Sequence, residues 1–103
     1  MDNIKEWVSQ NAQDLKYSDI VLSDEDINHI TMCLEHIKLW YFEDYSLGGF
    51  LTAIVNNDFI EACIRADNVN LKALRIYALF LVWGLPADWR KKASHSLTKA
   101  EGR

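Results

Sequence analysis

Apolar residues recur every three or four positions along most of the chain, a spacing typical of amphipathic α-helices. The clearest example predicts a helix over residues 24–42. Its apolar positions are Ile27, Ile30, Leu34, Ile37 and Tyr41. Ser23 and Asp26 stand at its start in the order of a capping box, with Asp in place of the usual Glu or Gln.

The same periodicity predicts helices on either side of this one. An N-terminal helix is predicted over residues 3–15, and a last long helix over residues 68–83, apolar all round from Ile76 onward and therefore the most buried. Gly84 and then Pro86 form the usual stop signal for that helix.

The middle segment, LGGFLTAIVNNDFIEACIRADNVN at residues 47–70, is less simple. Seven residues keep one face apolar as far as residue 66, namely Leu51, Ile54, Val55, Phe59, Ala62, Cys63 and Ala66. Asn56-Asn57-Asp58 lies in the middle, and Asn and Asp compete with the helix for backbone hydrogen bonds. Residues 49–66 are therefore either one kinked helix or two helices, the second capped by Asn57 or Asp58.

Composition supports a helical protein. Of 103 residues, half are hydrophobic and only five are Gly or Pro, too few for the many turns of an all-β fold. We therefore predict an all-α fold, a compact single-domain bundle of four to five helices over residues 1–89. Residues 90–103 are predicted to form a flexible basic C-terminal tail.

Charge is distributed unevenly along the chain. Residues 1–89 carry 6 Lys/Arg against 14 Asp/Glu, whereas residues 90–103 carry five basic residues and one acid. An acidic body repels phosphates, which argues against direct nucleic-acid binding. The acids are scattered rather than regularly arrayed, so mimicry of nucleic acid is only a subsidiary hypothesis. The tail is interpreted as a solvated terminus.

The candidate chemistry is sparse. His29, Cys33 and His36 are spaced so that they share one face of the second helix, opposite its apolar stripe, and are a weak candidate for a metal site. Three residues on one helix do not close a tetrahedral site, so we predict neither a metal nor a cofactor. No nucleophile motif is present, and Cys63 is expected to pack rather than attack, so no catalytic residue is predicted.

Aromatic residues are more numerous than a small core needs. Tryptophan and tyrosine are favoured anchors of protein interfaces, and at least one is expected to be exposed, with Trp40 as the first candidate. The predicted interaction residues are Trp40, Tyr41, Tyr45 and Trp89.

Residues 45–89 resemble a pattern found in small phage and prophage proteins that have no settled activity. The pattern runs through Gly-Gly-Phe-Leu, Asn-Asp, Arg-Ala-Asp-x-x-Asn and a helix that ends at a Pro. The matching residues are Gly48, Gly49, Phe50, Leu51, Ala53, Ile54, Val55, Asn57, Asp58, Phe59, Ala62, Arg65, Ala66, Asp67, Asn70, Leu74 and Pro86. Arg90 departs from it, because a Gly usually follows the Trp. The resemblance implies a phage or prophage origin.

Three hypotheses of function follow. The first is a phage-derived protein, not an enzyme, that binds a host or phage protein and modulates it, as an inhibitor or anti-defence factor does. The second is a small-ligand or metal-binding helical domain, and the third a self-associating structural protein. The N-terminus lacks a signal peptide and no apolar run is long enough for a membrane span, which predicts the host-cell cytoplasm and no membrane partner.

Overall fold

The computed structural model describes residues 3–93 and is all-α, as predicted, with no strand in that part of the chain. Between Ile4 and Trp83 there are six α-helices, with a 3-10 turn, Lys16–Ser18, after the first, and residues 89–93 are helical as well. The helices are α1 (Ile4–Leu15), α2 (Asp24–Glu43), α3 (Gly49–Val55), α4 (Phe59–Arg65), α5 (Asn68–Lys72) and α6 (Leu74–Trp83). Residues 94–103, most of the predicted tail, lie outside the described residues.

Helices α1 and α2 form as the periodicity predicts. The Asn3 side chain caps α1 by accepting a hydrogen bond from the Glu6 amide, 2.9 Å away. Ser23 and Asp26 form the predicted capping box at the start of α2, each side chain bonding to the other residue's backbone amide. Both helices begin where their side chains satisfy the first backbone amides.

The Asn-Asn-Asp segment separates two helices rather than kinking one. Helix α3 ends at Val55, and Asn57 has φ of 57°, the left-handed conformation that Asn tolerates better than most residues. Asp58 then caps α4 by accepting a hydrogen bond from the Glu61 amide. Of the two alternatives that the sequence leaves open, the structure therefore has the second, with Asp58 as the cap.

The prediction of a single, fully buried helix over residues 68–83 is wrong in two respects. It is interrupted at Ala73, which separates α5 from α6. The end of α6 is also not buried all round, because Val82 and Trp83 are exposed to solvent while Tyr77 and Phe80 are buried. One face of the strongly apolar helix α6 is therefore exposed to solvent near its C-terminal end.

Tyr77 lies at the centre of the core. Its ring is fully buried and packs edge-on against Phe50, with 5.3 Å between ring centroids. Its hydroxyl donates a 2.5 Å hydrogen bond to the side-chain oxygen of Asn70, which is also buried. This bond joins α5 to α6 and satisfies a polar group that would otherwise be costly to bury.

The folded body continues beyond the predicted domain boundary at residue 89. Residues 89–93 are helical, and Ala93 is buried in the same core cluster as Tyr77. Lys92 forms a salt bridge with Asp44, next to the end of α2. The first residues assigned to the tail therefore pack against the body.

We expect Tyr77→Phe to lower the free energy of unfolding by about 1–3 kcal/mol, because it leaves the buried Asn70 oxygen without its donor. Urea denaturation measures the change. Tyr17→Phe is the matched control, since Tyr17 is exposed and its substitution should alter stability by less than about 0.5 kcal/mol. Equal effects of the two substitutions would contradict this role of Tyr77.

Candidate functional site

The structure places two of the four predicted interaction residues in the core. Trp40 and Trp89 are 7% and 5% exposed, so the expectation that Trp40 is an exposed anchor is wrong. Trp40 is buried because the segment after α6 folds back against it. The Lys92 ammonium of that segment lies 5.6 Å from the centroid of the Trp40 ring. Trp83 is the exposed tryptophan instead, at 74%.

Tyr41 and Tyr45 lie near the end of α2. Tyr41 is half-buried and its hydroxyl donates a hydrogen bond to Asp88, an interaction that raises the pKa of the phenol. Tyr45 is exposed at one edge, and its ring packs 5.0 Å from the ring of His36. Tyr41 thus ties α2 to the segment after α6, while Tyr45 has a solvent-facing edge.

The weak metal candidate is divided by the fold. The Nε2 atom of His29 lies 3.8 Å from the Cys33 sulfur, whereas the ring of His36 packs on Tyr45. Among residues 3–93, no three His, Cys, Asp or Glu side chains form a group that could hold a metal ion. The prediction that this row lies opposite the apolar stripe is also wrong for Cys33, which is buried.

His29, Cys33 and Asp67 do come together, but not as a nucleophile, base and acid. Nε2 of His29 is the atom that approaches both the Cys33 sulfur and the Asp67 carboxylate, at 3.8 and 3.3 Å. A catalytic triad instead places the nucleophile and the acid on different ring nitrogens. Burial raises the pKa of the Cys33 thiol, which disfavours the reactive thiolate.

Tyr77 completes this internal cluster. Burial, and then the neighbouring Cys33, raises the pKa of its phenol far above the ordinary value. The phenol and the thiol therefore both stay neutral near pH 7. Tyr77 and Cys33 are the buried end of the cluster and link α2 to α6, whereas His29 and Asp67 lie at its solvent-facing end with side chains 36% and 56% exposed.

Helix α4 carries the most unusual surface. Phe59, Ile60 and Ile64 are 71%, 68% and 70% exposed, although they are its three largest apolar side chains. The residue that α4 buries is Ala62. At 3.6 residues per turn, Ile60 and Ile64 lie about 160° around the helix from Ala62. We call Phe59, Ile60, Cys63 and Ile64 the α4 face.

The sequence pattern assigns Phe59 to the inward face, and the structure corrects this. The helix breaks at the left-handed Asn57, and beyond it Ala62 of the apolar series stays buried while Phe59 is exposed. Phe59, Ile60 and Ile64 were therefore missed as candidate site residues. Ile60 and Ile64 lie four positions apart, outside the apolar series within residues 51–66. This i, i+4 spacing of two large apolar residues is the signal that would have indicated them.

A small apolar cavity adjoins the α4 face. Its volume is about 140 Å³, and it lies between α3, α4 and α6 with Phe59 at its edge. The lining side chains are Ala53, Ile54, Asn57, Asp58, Phe59, Ala62, Leu74, Ala78 and Leu81. We call it the α4 socket.

Polar contacts hold α4 in place where apolar burial is small. Asp58 caps its first turn, and the Arg65 guanidinium pairs with Glu61 at 2.9 Å. The Arg65 side chain also lies directly over Gly49, where an added Cβ would come within 2.9 Å of its Nη1 atom. The first turn of α3 and the flexible end of Arg65 therefore approach each other closely, and an added Cβ would displace that end of the arginine.

A second apolar area lies along the outer side of α2. Met32, Leu39 and Phe42 are exposed there, and a shallow groove runs between Phe42 and Ile4 of α1. Charged side chains interrupt it, because Glu35, Lys38 and Glu43 also line the groove. This area is less continuous than the α4 face.

No helix within residues 3–93 combines the length and the apolar composition required to cross a membrane. Comparison of the chain with protein families, with curated proteins and with solved structures gives no match. The case for a function therefore rests on the surface and its chemistry.

We expect Trp40→Ala to lower the free energy of unfolding by about 3–5 kcal/mol, because it leaves a large cavity in the core. Trp83→Ala, which truncates an exposed ring, should cost less than about 0.5 kcal/mol. Chemical denaturation of both variants measures the difference. A larger loss from Trp83→Ala would show that these two side chains are placed incorrectly.

We also expect the two thiols to differ in reactivity. Cys63 is half-buried and should react with an aromatic disulfide reagent in the native protein, at least about a hundredfold faster than Cys33. Cys33 should react only after unfolding. Cys63→Ser should remove the fast phase, and a fast phase that survives in that variant would contradict the assignment.

Proposed function

We propose that this protein acts by binding another protein through the α4 face, as a phage-derived modulator of a host or phage protein that performs no catalysis of its own. The observation that carries the proposal is the exposure of Phe59, Ile60 and Ile64 on one short helix. Contiguous exposed apolar side chains are typical of interaction sites.

The energetics of α4 support a partner. Ordering a residue costs roughly 1–2 kcal/mol of backbone entropy, and helices in proteins are stabilised mainly by burying an apolar face. Helix α4 buries Ala62 and leaves its large apolar side chains in water. A binding partner that covers the α4 face would supply the burial that the isolated chain lacks.

The α4 socket supports a protein partner more than a small metabolite. Ligand sites are commonly about 300–1,000 Å³, whereas a socket of about 140 Å³ has the size of one aromatic ring. Aromatic side chains inserted in such pockets are frequent anchors of protein interfaces. This favours the first hypothesis over the ligand-binding alternative at this site.

The placement of the acids favours apolar contact over mimicry of nucleic acid. The Asp26 carboxylate completes the capping box of α2, Asp58 caps α4, and Asp67 both caps α5 and pairs with His29. The helix ends fix the positions of these carboxylates, so they do not follow the regular spacing of phosphates along a nucleic acid. The phage origin rests on the sequence resemblance over residues 45–89.

The test is an affinity capture with the tagged protein from infected and uninfected host lysates, read by mass spectrometry. The wild type should retain one stoichiometric partner, and Ile64→Asp should retain at least tenfold less, because the new carboxylate would have to be desolvated in the interface. The control is Val21→Asp, which places the same charge at an exposed apolar position outside the α4 face.

Both variants should unfold within about 0.5 kcal/mol of the wild type, since neither side chain is buried. Undiminished capture by Ile64→Asp would contradict the proposal. Equal loss in Val21→Asp would contradict it too, because the effect would then not belong to the α4 face.

A further inference from the structure

The α4 face and the α4 socket are complementary to each other. Phe59 projects an aromatic ring into solvent, and next to it lies a cavity of about 140 Å³ with a mainly apolar lining. An apolar cavity of about 150 Å³ accepts benzene. One surface of this molecule therefore presents both an aromatic knob and a hole of matching size.

A twofold-symmetric interface requires this kind of surface. In such an interface the same patch is used by both copies, so each protrusion must find its recess on the identical partner. We propose that, in the free protein, the α4 face is covered by the α4 face of a second copy of this chain. The inference rests on the proposed function, because it names what occupies the same docking surface before another protein does.

Charge favours an antiparallel arrangement of the two helices. Helix α4 is acidic in its first turn, with Asp58 and Glu61, and basic in its last turn, with Arg65. A twofold axis across the middle of α4 brings Arg65 of each copy near the acidic end of the other. The Arg65 and Glu61 side chains are 57% and 43% exposed, so both remain accessible to a second copy.

The size of the surface implies a weak dimer. Seven residues make a helix about 10 Å long. Adding Ala78 of α6, which lines the socket, still leaves an interface below the roughly 1,000 Å² typical of stable complexes. The dimer should therefore depend on concentration, with a Kd above about 1 μM, and another protein with a larger interface can displace it.

Cys63 offers a direct test, because it belongs to the α4 face and lies one helical turn from Phe59. A short bismaleimide should link two wild-type chains through their Cys63 thiols, in a yield that rises with protein concentration. Cys63→Ser should abolish the product, and Cys33→Ser, at the buried thiol, is the control expected to leave it unchanged. Ile64→Asp, which keeps Cys63, should reduce it at least tenfold.

Sedimentation velocity provides the measurement without a reagent. The weight-average mass of the wild type and of Val21→Asp should rise from one chain toward two as concentration increases, while Ile64→Asp should stay at one chain. A wild type that remains monomeric, or an Ile64→Asp variant that dimerises equally well, would overturn the inference. Such a result leaves the proposed function standing if lysate capture still depends on Ile64. A dimer combined with capture independent of Ile64 would support the inference and refute the proposed function.

Discussion

The left-handed turn at Asn57 is the constraint that separates α4 from α3 and makes α4 a helix of its own. It ends α3, and the Asp58 amide then donates a 2.8 Å hydrogen bond back to the Ala53 carbonyl while the Asp58 carboxylate caps α4. A continuous helix would have kept Phe59 in phase with the buried side of α3. After the turn, Ala62 stays on the inward side but Phe59 is exposed, and it joins Ile60 and Ile64, which lie outside the apolar series in either case. The turn residues Asn57 and Asp58 also line the α4 socket, so the exposed Phe59 and the socket lie side by side at this break.

Several polar or small positions of the motif that resembles phage proteins have a structural explanation. Gly49 admits the Arg65 side chain, which pairs with Glu61. Asp67 caps α5 and contacts His29, and Asn70 accepts the buried hydrogen bond from Tyr77. Fully bonded polar groups of this kind can specify one arrangement of a core. These polar positions of the motif thus serve the fold, and the proposed function is assigned to exposed apolar side chains between them.

Periodicity and capping chemistry were sufficient to predict the all-α fold and the ends of α1 and α2, because those signals are local. The positions of Trp40 and Phe59 could not be predicted in the same way. Trp40 is buried because a segment some 50 residues later folds over it, and Phe59 is exposed where α4 begins, after the break at Asn57. Each depends on tertiary geometry that hydrophobic spacing does not encode. The site was therefore expected among the aromatic residues near the end of α2, whereas the structure favours α4.

The central claim is that Ile60 and Ile64 are in water in the isolated chain and become covered on binding. The most direct measurement is methyl NMR of isoleucine-labelled protein with a water-soluble paramagnetic agent. In dilute protein, the Ile60 and Ile64 methyl signals should be strongly broadened, while those of the fully buried Ile30 and Ile37 remain sharp. Raising the protein concentration, or adding the captured partner, should then protect Ile60 and Ile64 alone. If these two methyl groups are as protected in dilute protein as Ile30, the account of α4 is wrong.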